Sequence, residues 1–202
     1  RNPEPGDAGI ARGQAVLRVC ARTEMPVPEP LYLDPSGSVI PGTILVMKKV
    51  PGIVMHHAFG RLSAAERQRV AAEIAHAVGR LHRRRASGFG GAELEPAARE
   101  AEWADFWLPR FDRVFEAAAA SNLLLPGFLE EVARARAGFA DSLRIGTEAT
   151  LTHYDIWAGN VMLDRGGDGF HVSGFIDIPG HWADYARELS FMEMFGVADA
   201  TV

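Results

Sequence analysis

The stretch LTHYDIWAGNVM at residues 151–162 is followed, after one glycine-rich segment, by GFID at residues 174–177. Apolar, strand-like residues lie on both sides of the segment 164–169, a pattern that predicts a β-hairpin. Asn160 precedes the first predicted strand and Asp177 follows the second. Because antiparallel strands pair along their length, we expect these two side chains to meet at the open end of the hairpin.

The loop before the hairpin adds two more polar side chains, His153 and Asp155. The hairpin alone therefore brings Asp155, Asn160 and Asp177 close together, without any assumption about contacts between distant parts of the chain. Carboxylate and amide oxygens are hard ligands that suit Mg²⁺, which keeps several waters and is held by few protein groups together with phosphate oxygens. The pattern predicts an open metal–nucleotide site rather than a closed structural one.

The spacing His153-x-Asp155-x-x-x-x-Asn160, followed by Asp177 at the end of the next strand, resembles the catalytic loop and metal-binding aspartate of the protein-kinase-like fold. The local sequence is similar to the aminoglycoside phosphotransferase and choline kinase group. Further motifs similar to those of this group lie along residues 12–197. They are VPEP at 27–30, LVMKKVPG at 45–52, Leu81-His82, Ala183-Asp184 and Glu188-Leu189-Ser190. The last of these, continuing to Met194-Phe195-Gly196, also resembles fructosamine kinases.

The resemblance implies a role for each residue of the loop. Asp155 would be the catalytic base that orients the substrate hydroxyl and accepts its proton. His153 would brace the loop by hydrogen bonds. Asn160 and Asp177 would hold Mg²⁺ on the phosphates of ATP. Asp184 is expected to form hydrogen bonds within its own lobe.

The resemblance also implies a nucleotide-binding hinge after the strand at 44–47. Met47 would occupy the gatekeeper position. The Lys48 carbonyl and the Val50 N–H would hydrogen-bond adenine through the backbone. The implied fold is a two-lobed kinase, with an incomplete N-lobe and hinge at 1–50 and a mainly helical C-lobe carrying the catalytic hairpin at 51–202.

The sequence departs from the family in its nucleotide-binding elements. No G-x-G-x-x-G occurs, and the Lys before the first helix is absent, with Arg1 as a candidate for its position. The usual Glu of that helix falls near Gly13, so the usual Lys–Glu pair cannot form. The family continues with more helices beyond Val202. We therefore expect a chain truncated at both ends, or a degenerate copy, that alone binds ATP–Mg²⁺ weakly and turns over little.

Amino-acid composition limits the classes of binding partner that the chain can have. The 202 residues carry 21 Lys+Arg against 26 Asp+Glu, a net charge of −5, which argues against nucleic acid. Neither Lys48 nor Lys49 follows the glycine pattern of a P-loop. The single Cys20 excludes an internal disulfide framework. No apolar run approaches the roughly 18 residues of a membrane span, so we expect a cytoplasmic protein without membrane contact.

Hydrophobic periodicity and turn residues predict an α+β chain. Residues 1–10 are predicted as a loop. Predicted helices cover 11–22, Ser63 to about Arg85 with a capping box at Ser63, an aromatic-rich segment from Trp103 to Phe115, 127–143, and a segment from near Asp184. Predicted strands cover 31–33, a short buried strand at 44–47, 150–152, 161–163 and 170–176.

Two other groups of polar residues allow different interpretations. A zinc hydrolase site could use a set of imidazoles and one carboxylate, namely His153, Asp155, His171 and His181, although it would leave Asn160 and Asp177 without a role. Arg83-Arg84-Arg85 could bind phosphate or could complement the negative end of a helix.

Two classes of function remain open from the sequence. The first is an ATP-dependent kinase for a hydroxyl group of a small molecule, with an aminoglycoside-type antibiotic as the first substrate class and a ketosamine such as fructosamine as the second. The acidic residues between Glu93 and Asp105 would attract a cationic substrate. The second class is a non-catalytic remnant or binding module with kinase ancestry.

Overall fold

A computed structural model describes residues 6–38, 41–121 and 127–197. The α-helices are α1 Gly6–Ala21, α2 Met55–Ala58, α3 Ala64–His82, α4 Trp103–Ala120, α5 Phe128–Ala140 and α6 Tyr185–Met194. The strands are β1 Pro30–Asp34, β2 Ile44–Met47, β3 Ile53–Val54, β4 Arg85–Ala86, β5 Gly90–Gly91, β6 Ala149–Thr152, β7 Val161–Gly166, β8 Gly169–Phe175 and β9 His181–Ala183. Short 3-10 segments cover Phe59–Arg61, Pro96–Ala98 and Ser142–Arg144.

The strands form three small antiparallel sheets, ordered β1-β2, β3-β7-β8 and β4-β6-β9-β5. The second sheet contains the predicted hairpin, β7-β8. Strand β6 of the third sheet ends just before the candidate catalytic loop. Since both strands that flank the loop are paired on a neighbour, the loop is fixed at both ends.

Helix α3 supports the hairpin from one side. Ser63 and Glu66 form the predicted capping box, and Val70, Ile74, Ala77, Val78 and Leu81 form its buried face. The same helix also satisfies the free edge of β8: Glu66 accepts a hydrogen bond from the Phe170 N–H at 3.1 Å, and Glu73 accepts one from the Val172 N–H at 2.6 Å. An edge whose amides are bonded to side chains is closed to further strand pairing.

One main core joins α1, α3, α6 and the hairpin. It includes Val16, Leu81, Leu151, Phe175 and Met192, all buried. A smaller aromatic cluster holds Phe89, Trp103 and Phe106 with Ala149 and Ala183. The aromatic residues at the start of α4 therefore pack into the interior, as the predicted apolar helix face requires.

The structure corrects several predicted boundaries. Helix α1 begins at Gly6, inside the segment predicted as a loop to residue 10; its buried face, Val16, Leu17 and Cys20, anchors a longer helix than apolar spacing alone indicated. Helix α3 ends at His82 rather than near Arg85, because Arg85 and Ala86 pair with β6 instead. The pairing of Arg85 with β6 therefore outweighs the preference of arginine for a helix.

Strand β2 was predicted to be buried, and that prediction was wrong. Val46 and Met47 are 45% and 44% exposed, since β2 pairs only with β1 among the described residues. The predicted turn at 164–169 is also shorter, because β7 continues through Asp164, Arg165 and Gly166 and leaves two residues between the strands. Strands β3, β5 and β9 are too short for sequence periodicity to reveal.

Among the described residues no helix is both long and apolar enough to cross a bilayer.

Gly52 allows β3 to lie close to strand β7 of the hairpin. Its φ is +91°, and an added Cβ would overlap the Leu163 carbonyl and lie 2.9 Å from Asp164 Cα. We expect Gly52→Ala to lower the free energy of unfolding by about 1–3 kcal/mol, through backbone strain and displacement of β7. Urea unfolding of the variant measures the loss.

Gly60→Ala is the matched control, since nothing lies within 4 Å of a Cβ at that position. An equal loss of stability in the two variants would contradict the proposed role of Gly52 in strand approach.

Candidate active site

The candidate catalytic loop, residues 153–160, connects β6 to β7. The His153 carbonyl accepts a hydrogen bond from the Gly180 N–H at 3.1 Å, and the Asn160 N–H donates to the Trp157 carbonyl at 2.9 Å. The first bond ties the start of the loop to the segment that follows Asp177. The second closes the end of the loop into a turn that presents the Asn160 side chain.

Asn160 and Asp155 are joined through the Asn160 amide. Its Nδ2 donates both to the Asp155 backbone carbonyl and to Asp155 Oδ2, each at 2.9 Å. The opposite amide orientation would place two acceptors against each other, so the hydrogen bonds fix the orientation. Oδ1 of Asn160 makes no hydrogen bond to a described residue, which leaves a hard oxygen available as a metal ligand.

Asp177 lies at the open end of the hairpin. The register pairs Val161 with Phe175, and the Ile176 N–H donates to the Asn160 carbonyl at 2.9 Å. Asp177 is the next residue, is exposed and has a left-handed φ of +54°. This conformation, unusual for a residue other than glycine, turns the chain directly after the strand. The hairpin register thus places Asp177 one residue beyond the position that is bonded to Asn160, at the end of the hairpin where the candidate catalytic loop joins β7.

Tyr154, between His153 and Asp155, carries the most strained backbone of the loop, with φ of +81°. Its N–H donates to Glu188 Oε1 at 2.6 Å, and its carbonyl accepts a hydrogen bond from the Arg187 guanidinium, which also stacks on the Tyr154 ring. Two side chains from the first turn of α6 therefore hold both peptide groups of Tyr154. Strain of this kind persists only where surrounding contacts impose it.

Glu188 is completely buried and has a second partner, since His82 Nε2 lies 2.6 Å from its Oε2. His82 is the last residue of α3. The carboxylate therefore links α3, α6 and the catalytic loop. Sequence reasoning noted Glu188 and Leu81-His82 only as points of resemblance and assigned neither a role. The available signal was a carboxylate placed between Leu189 and the helix start, in a helix that also carries Phe191 and Met192.

His153, like Ile156 of the same loop, is completely buried. Its Nδ1 accepts a hydrogen bond from the Asp155 N–H at 3.3 Å. Burial lowers the pKa of His153, against the opposing effect of Glu188 and Asp155. The imidazole is therefore neutral at pH 7 and acts on Asp155 through its backbone, in keeping with the predicted bracing role.

His181 in β9 packs on the other side of Tyr154, with ring centroids 4.1 Å apart. Burial and the nearby Arg12 lower the pKa of His181 to about 3. A neutral imidazole packs on the tyrosine ring without the larger cost of burying a charge. From the sequence, His181 was considered only as a ligand of the alternative zinc site.

The hinge residues follow β2. The Lys48 N–H donates to the Glu29 carbonyl at 2.8 Å, which extends the pairing of β1 and β2 past Met47. Lys48 is exposed, and Val50 contacts Gly174 of β8 so closely that an added Cβ there would meet Val50 Cγ1 at 2.7 Å. Within the described residues the Val50 N–H has no backbone acceptor. The hinge therefore lies against the strand that leads to Asp177.

A cavity of about 350 Å³ lies beside Asp177, with Arg12, Gly13 and His181 also in its lining. Arg12 pairs with Glu93 at 2.7 Å rather than with a residue of the catalytic loop. The helix position that would carry the family's Glu is thus Gly13, open to this cavity. Arg1, the candidate for the missing Lys, lies outside the described residues.

The zinc set predicted as an alternative is not assembled. His171 bonds to Glu73 at 2.9 Å and to Asp168 at 2.7 Å, on the face of the hairpin that meets α3. In the described part of the chain, no three or more His, Cys, Asp or Glu side chains are grouped to hold a metal. Asp184 caps α6 by accepting a hydrogen bond from the Ala186 N–H, the intralobe role expected for it.

Comparison with known proteins agrees with this geometry. The sequence matches the model of the phosphotransferase enzyme family over residues 1–178. The chain belongs to this family. A comparison with curated proteins gives no match.

Solved structures of the family share the fold. Aminoglycoside phosphotransferase APH(4)-Ia is similar with a TM-score of 0.71 at 20% identity, over 96% of this chain and 64% of that one. A proposed fructosamine-3-kinase from Thermobifida fusca YX-ER1 gives 0.70 at 20% identity, over 99% and 67%. APH(3'')-Id from Streptomyces rimosus ATCC10970, solved with ADP and streptomycin, gives 0.56 at 21% identity, over 98% and 80%.

These likenesses confirm the predicted α+β, kinase-like fold, and the match to the family model confirms the predicted family. The chain spans about two thirds of the length of the first two structures named. The division into a partial N-lobe at 1–50 and a C-lobe at 51–202 stays a prediction.

Because the pKa of His181 is lowered in the folded chain, the free energy of unfolding should depend on pH through this residue. An unfolded histidine binds a proton near pH 6.5, whereas folded His181 binds one only near pH 3. Acidification below 6.5 therefore favours unfolding, and His181 should contribute a slope of up to about 1.4 kcal/mol per pH unit between those values. We expect His181→Gln to flatten the fall in unfolding free energy between pH 7 and pH 5, measured by urea titration.

His56→Gln, at an exposed position of α2, is the control and should keep the wild-type slope. A His181→Gln slope identical to that of wild type would show that His181 is not the buried neutral group described.

Proposed function

We propose that the chain carries the catalytic loop of an ATP-dependent phosphotransferase acting on a hydroxyl group of a small molecule. The observation that carries the proposal is the Asn160 amide, whose Nδ2 is bonded to Asp155 while its Oδ1 makes no hydrogen bond to a described residue. The hairpin register places Asp177 one residue beyond the partner of Asn160. One residue thereby orients a base and offers a metal ligand.

Asp155 is proposed as the catalytic base. Its Oδ2 accepts the Asn160 hydrogen bond, so the carboxylate is oriented and the other oxygen is available for the substrate hydroxyl. The side chain is half-buried, and Glu188 and Arg187 hold the backbone of Tyr154, the residue that precedes Asp155. Asp155 would align the hydroxyl with the phosphate and take up its proton as the new bond to phosphorus forms.

Asn160 and Asp177 are proposed as the protein ligands of Mg²⁺. The donor set fits this ion, because two hard oxygens on an open hairpin end leave positions for water and phosphate oxygens. When bound, Mg²⁺ neutralises charge on the phosphates of ATP. His153 would keep the loop in the conformation that presents Asp155 and Asn160.

Nucleotide binding is proposed at the hinge. The free Val50 N–H and the carbonyl of Lys48 match the donor and acceptor edge of adenine, and Met47 precedes them as gatekeeper. Related structures support ATP as the phosphate donor, since a thermostable mutant of APH(4)-Ia was solved with AMP-PNP and hygromycin B.

The substrate is proposed to be an aminoglycoside-type compound, with a ketosamine as the second candidate. Both classes appear among the neighbours in fold, APH(4)-Ia and the proposed fructosamine-3-kinase. A phosphotransfer screen with ATP and Mg²⁺ against aminoglycosides, fructosamines and choline-like alcohols tests the proposal. Transfer to none of these compounds under single-turnover conditions would instead support the non-catalytic binding module.

The base assignment predicts the effect of one isosteric change. We expect Asp155→Asn to lower phosphotransfer by about 10²–10⁴-fold while leaving the far-ultraviolet circular dichroism spectrum unchanged, since only proton acceptance and hydroxyl alignment are lost. The single-turnover rate of phosphate transfer is the measurement.

Asp164→Asn, an exposed position on the same hairpin, is the control and should retain full activity. An Asp155→Asn variant with more than about a tenth of wild-type turnover would rule out Asp155 as the base.

The metal assignment predicts a separate phenotype. We expect Asp177→Ala and Asn160→Ala each to raise the Mg²⁺ concentration needed for ATP binding, because each removes a hard oxygen ligand. Asp155→Ala should change that requirement much less. Fluorescent nucleotide titrations at a series of Mg²⁺ concentrations give the comparison.

Identical behaviour of the three variants would refute the division of roles between base and ligands. Nucleotide binding that does not depend on Mg²⁺ at all would count against the kinase proposal itself.

A further inference from the structure

A second polar cavity lies where the ends of α1 and α3 meet. Its volume is about 300 Å³, and its lining consists mostly of arginines, namely Arg22, Arg80, Arg83 and Arg84, with Thr23 and Glu24. None of these residues belongs to the catalytic loop, the hinge or the cavity beside Asp177. In a chain with a net charge of −5, such a concentration of guanidinium groups requires an explanation.

The four guanidinium groups lack anionic partners. Within the described residues none of them forms an ion pair, although arginines elsewhere do, such as Arg136 with Asp112 and Arg12 with Glu93. Arg80 Nε is buried and has no hydrogen-bond acceptor in the described part of the chain. Among the described residues, the Arg84 guanidinium donates only to the Arg22 carbonyl, at 2.9 Å. A buried donor without an acceptor is rare in folded proteins.

The end of α3 does not account for these charges. Arg85 already donates to the His82 carbonyl there, and it also contacts Thr150 and pairs with Glu148 at 3.2 Å. The sequence-based alternative, that the arginine run complements the negative end of the helix, therefore describes Arg85. Arg80, Arg83 and Arg84 remain available for another partner.

We propose that this cavity, the arginine pocket, binds the phosphate group of a small anion. Guanidinium groups present parallel N–H donors that match phosphate oxygens, and a phosphate would supply the acceptor that Arg80 Nε lacks. The lining carries four positive charges against the one of Glu24, an excess suited to a multivalent anion rather than a single carboxylate. The pocket's residues are separate from the proposed kinase site, and the proposal holds whether or not that function is correct.

Calorimetric titration of the intact chain with inorganic phosphate, pyrophosphate and AMP tests the proposal. Each titration is made at constant ionic strength and without added nucleotide or Mg²⁺, so that no other phosphate competes for the pocket. We expect phosphate to bind and acetate not to bind. Comparison of the three phosphates distinguishes a free phosphate from a phosphate carried on a metabolite.

Substitutions of the pocket arginines test whether phosphate binds in this pocket. Arg80→Gln combined with Arg83→Gln should weaken phosphate binding at least about tenfold, since charge-assisted hydrogen bonds are lost. Arg83→Gln alone, at an exposed position that does not endanger folding, should weaken it measurably. Arg113→Gln, an exposed arginine on α4, is the matched control and should bind like wild type.

Equal affinity in the pocket variants and in Arg113→Gln would overturn the proposal, because binding would then be non-specific charge attraction. No binding of any phosphate to the wild-type chain would overturn it as well, as would acetate binding equal to that of phosphate.

Discussion

The buried carboxylate of Glu188 is the constraint on which the candidate site depends. It accepts the Tyr154 N–H at 2.6 Å and lies 2.6 Å from His82 Nε2, with no solvent exposure of its own. A buried carboxylate is costly unless its oxygens are bonded, and removal of one partner from a buried pair costs about 3–5 kcal/mol. With both oxygens bonded in this way, Glu188 holds Tyr154 in its left-handed backbone conformation and thereby positions Asp155, the next residue.

The remaining elements follow from that arrangement. Helix α3 supplies His82 at its end and, along its length, the carboxylates that close the edge of β8. The hairpin then places Asp177 beside Asn160 through the hydrogen bond from Ile176 to the Asn160 carbonyl. The contacts on Tyr154 hold the loop that carries Asp155, and the hairpin register sets the positions of Asn160 and Asp177. Two independent sets of contacts therefore position the proposed base and the proposed metal ligands.

Much of this could be predicted from the sequence, because the deciding signals are local. The spacing of Asp155 and Asn160, the hairpin leading to Asp177 and the capping box at Ser63 each lie within short stretches of chain. The tie between His82 and Glu188 spans more than a hundred positions, and no periodicity reveals it. Strand β9 and the exposed face of β2 depend on which strands pair, a tertiary choice that local patterns do not specify.

A crystal structure of the chain with Mg²⁺ and a non-hydrolysable ATP analogue tests the central claim most directly. The account predicts a metal ion at about 2.0–2.1 Å from Asn160 Oδ1 and an Asp177 carboxylate oxygen, with Asp155 outside its coordination sphere and facing the terminal phosphate. Adenine would lie against the backbone of Lys48 and Val50. A metal bound by Asp155 in place of Asn160, or a nucleotide bound away from the hairpin end, would contradict it.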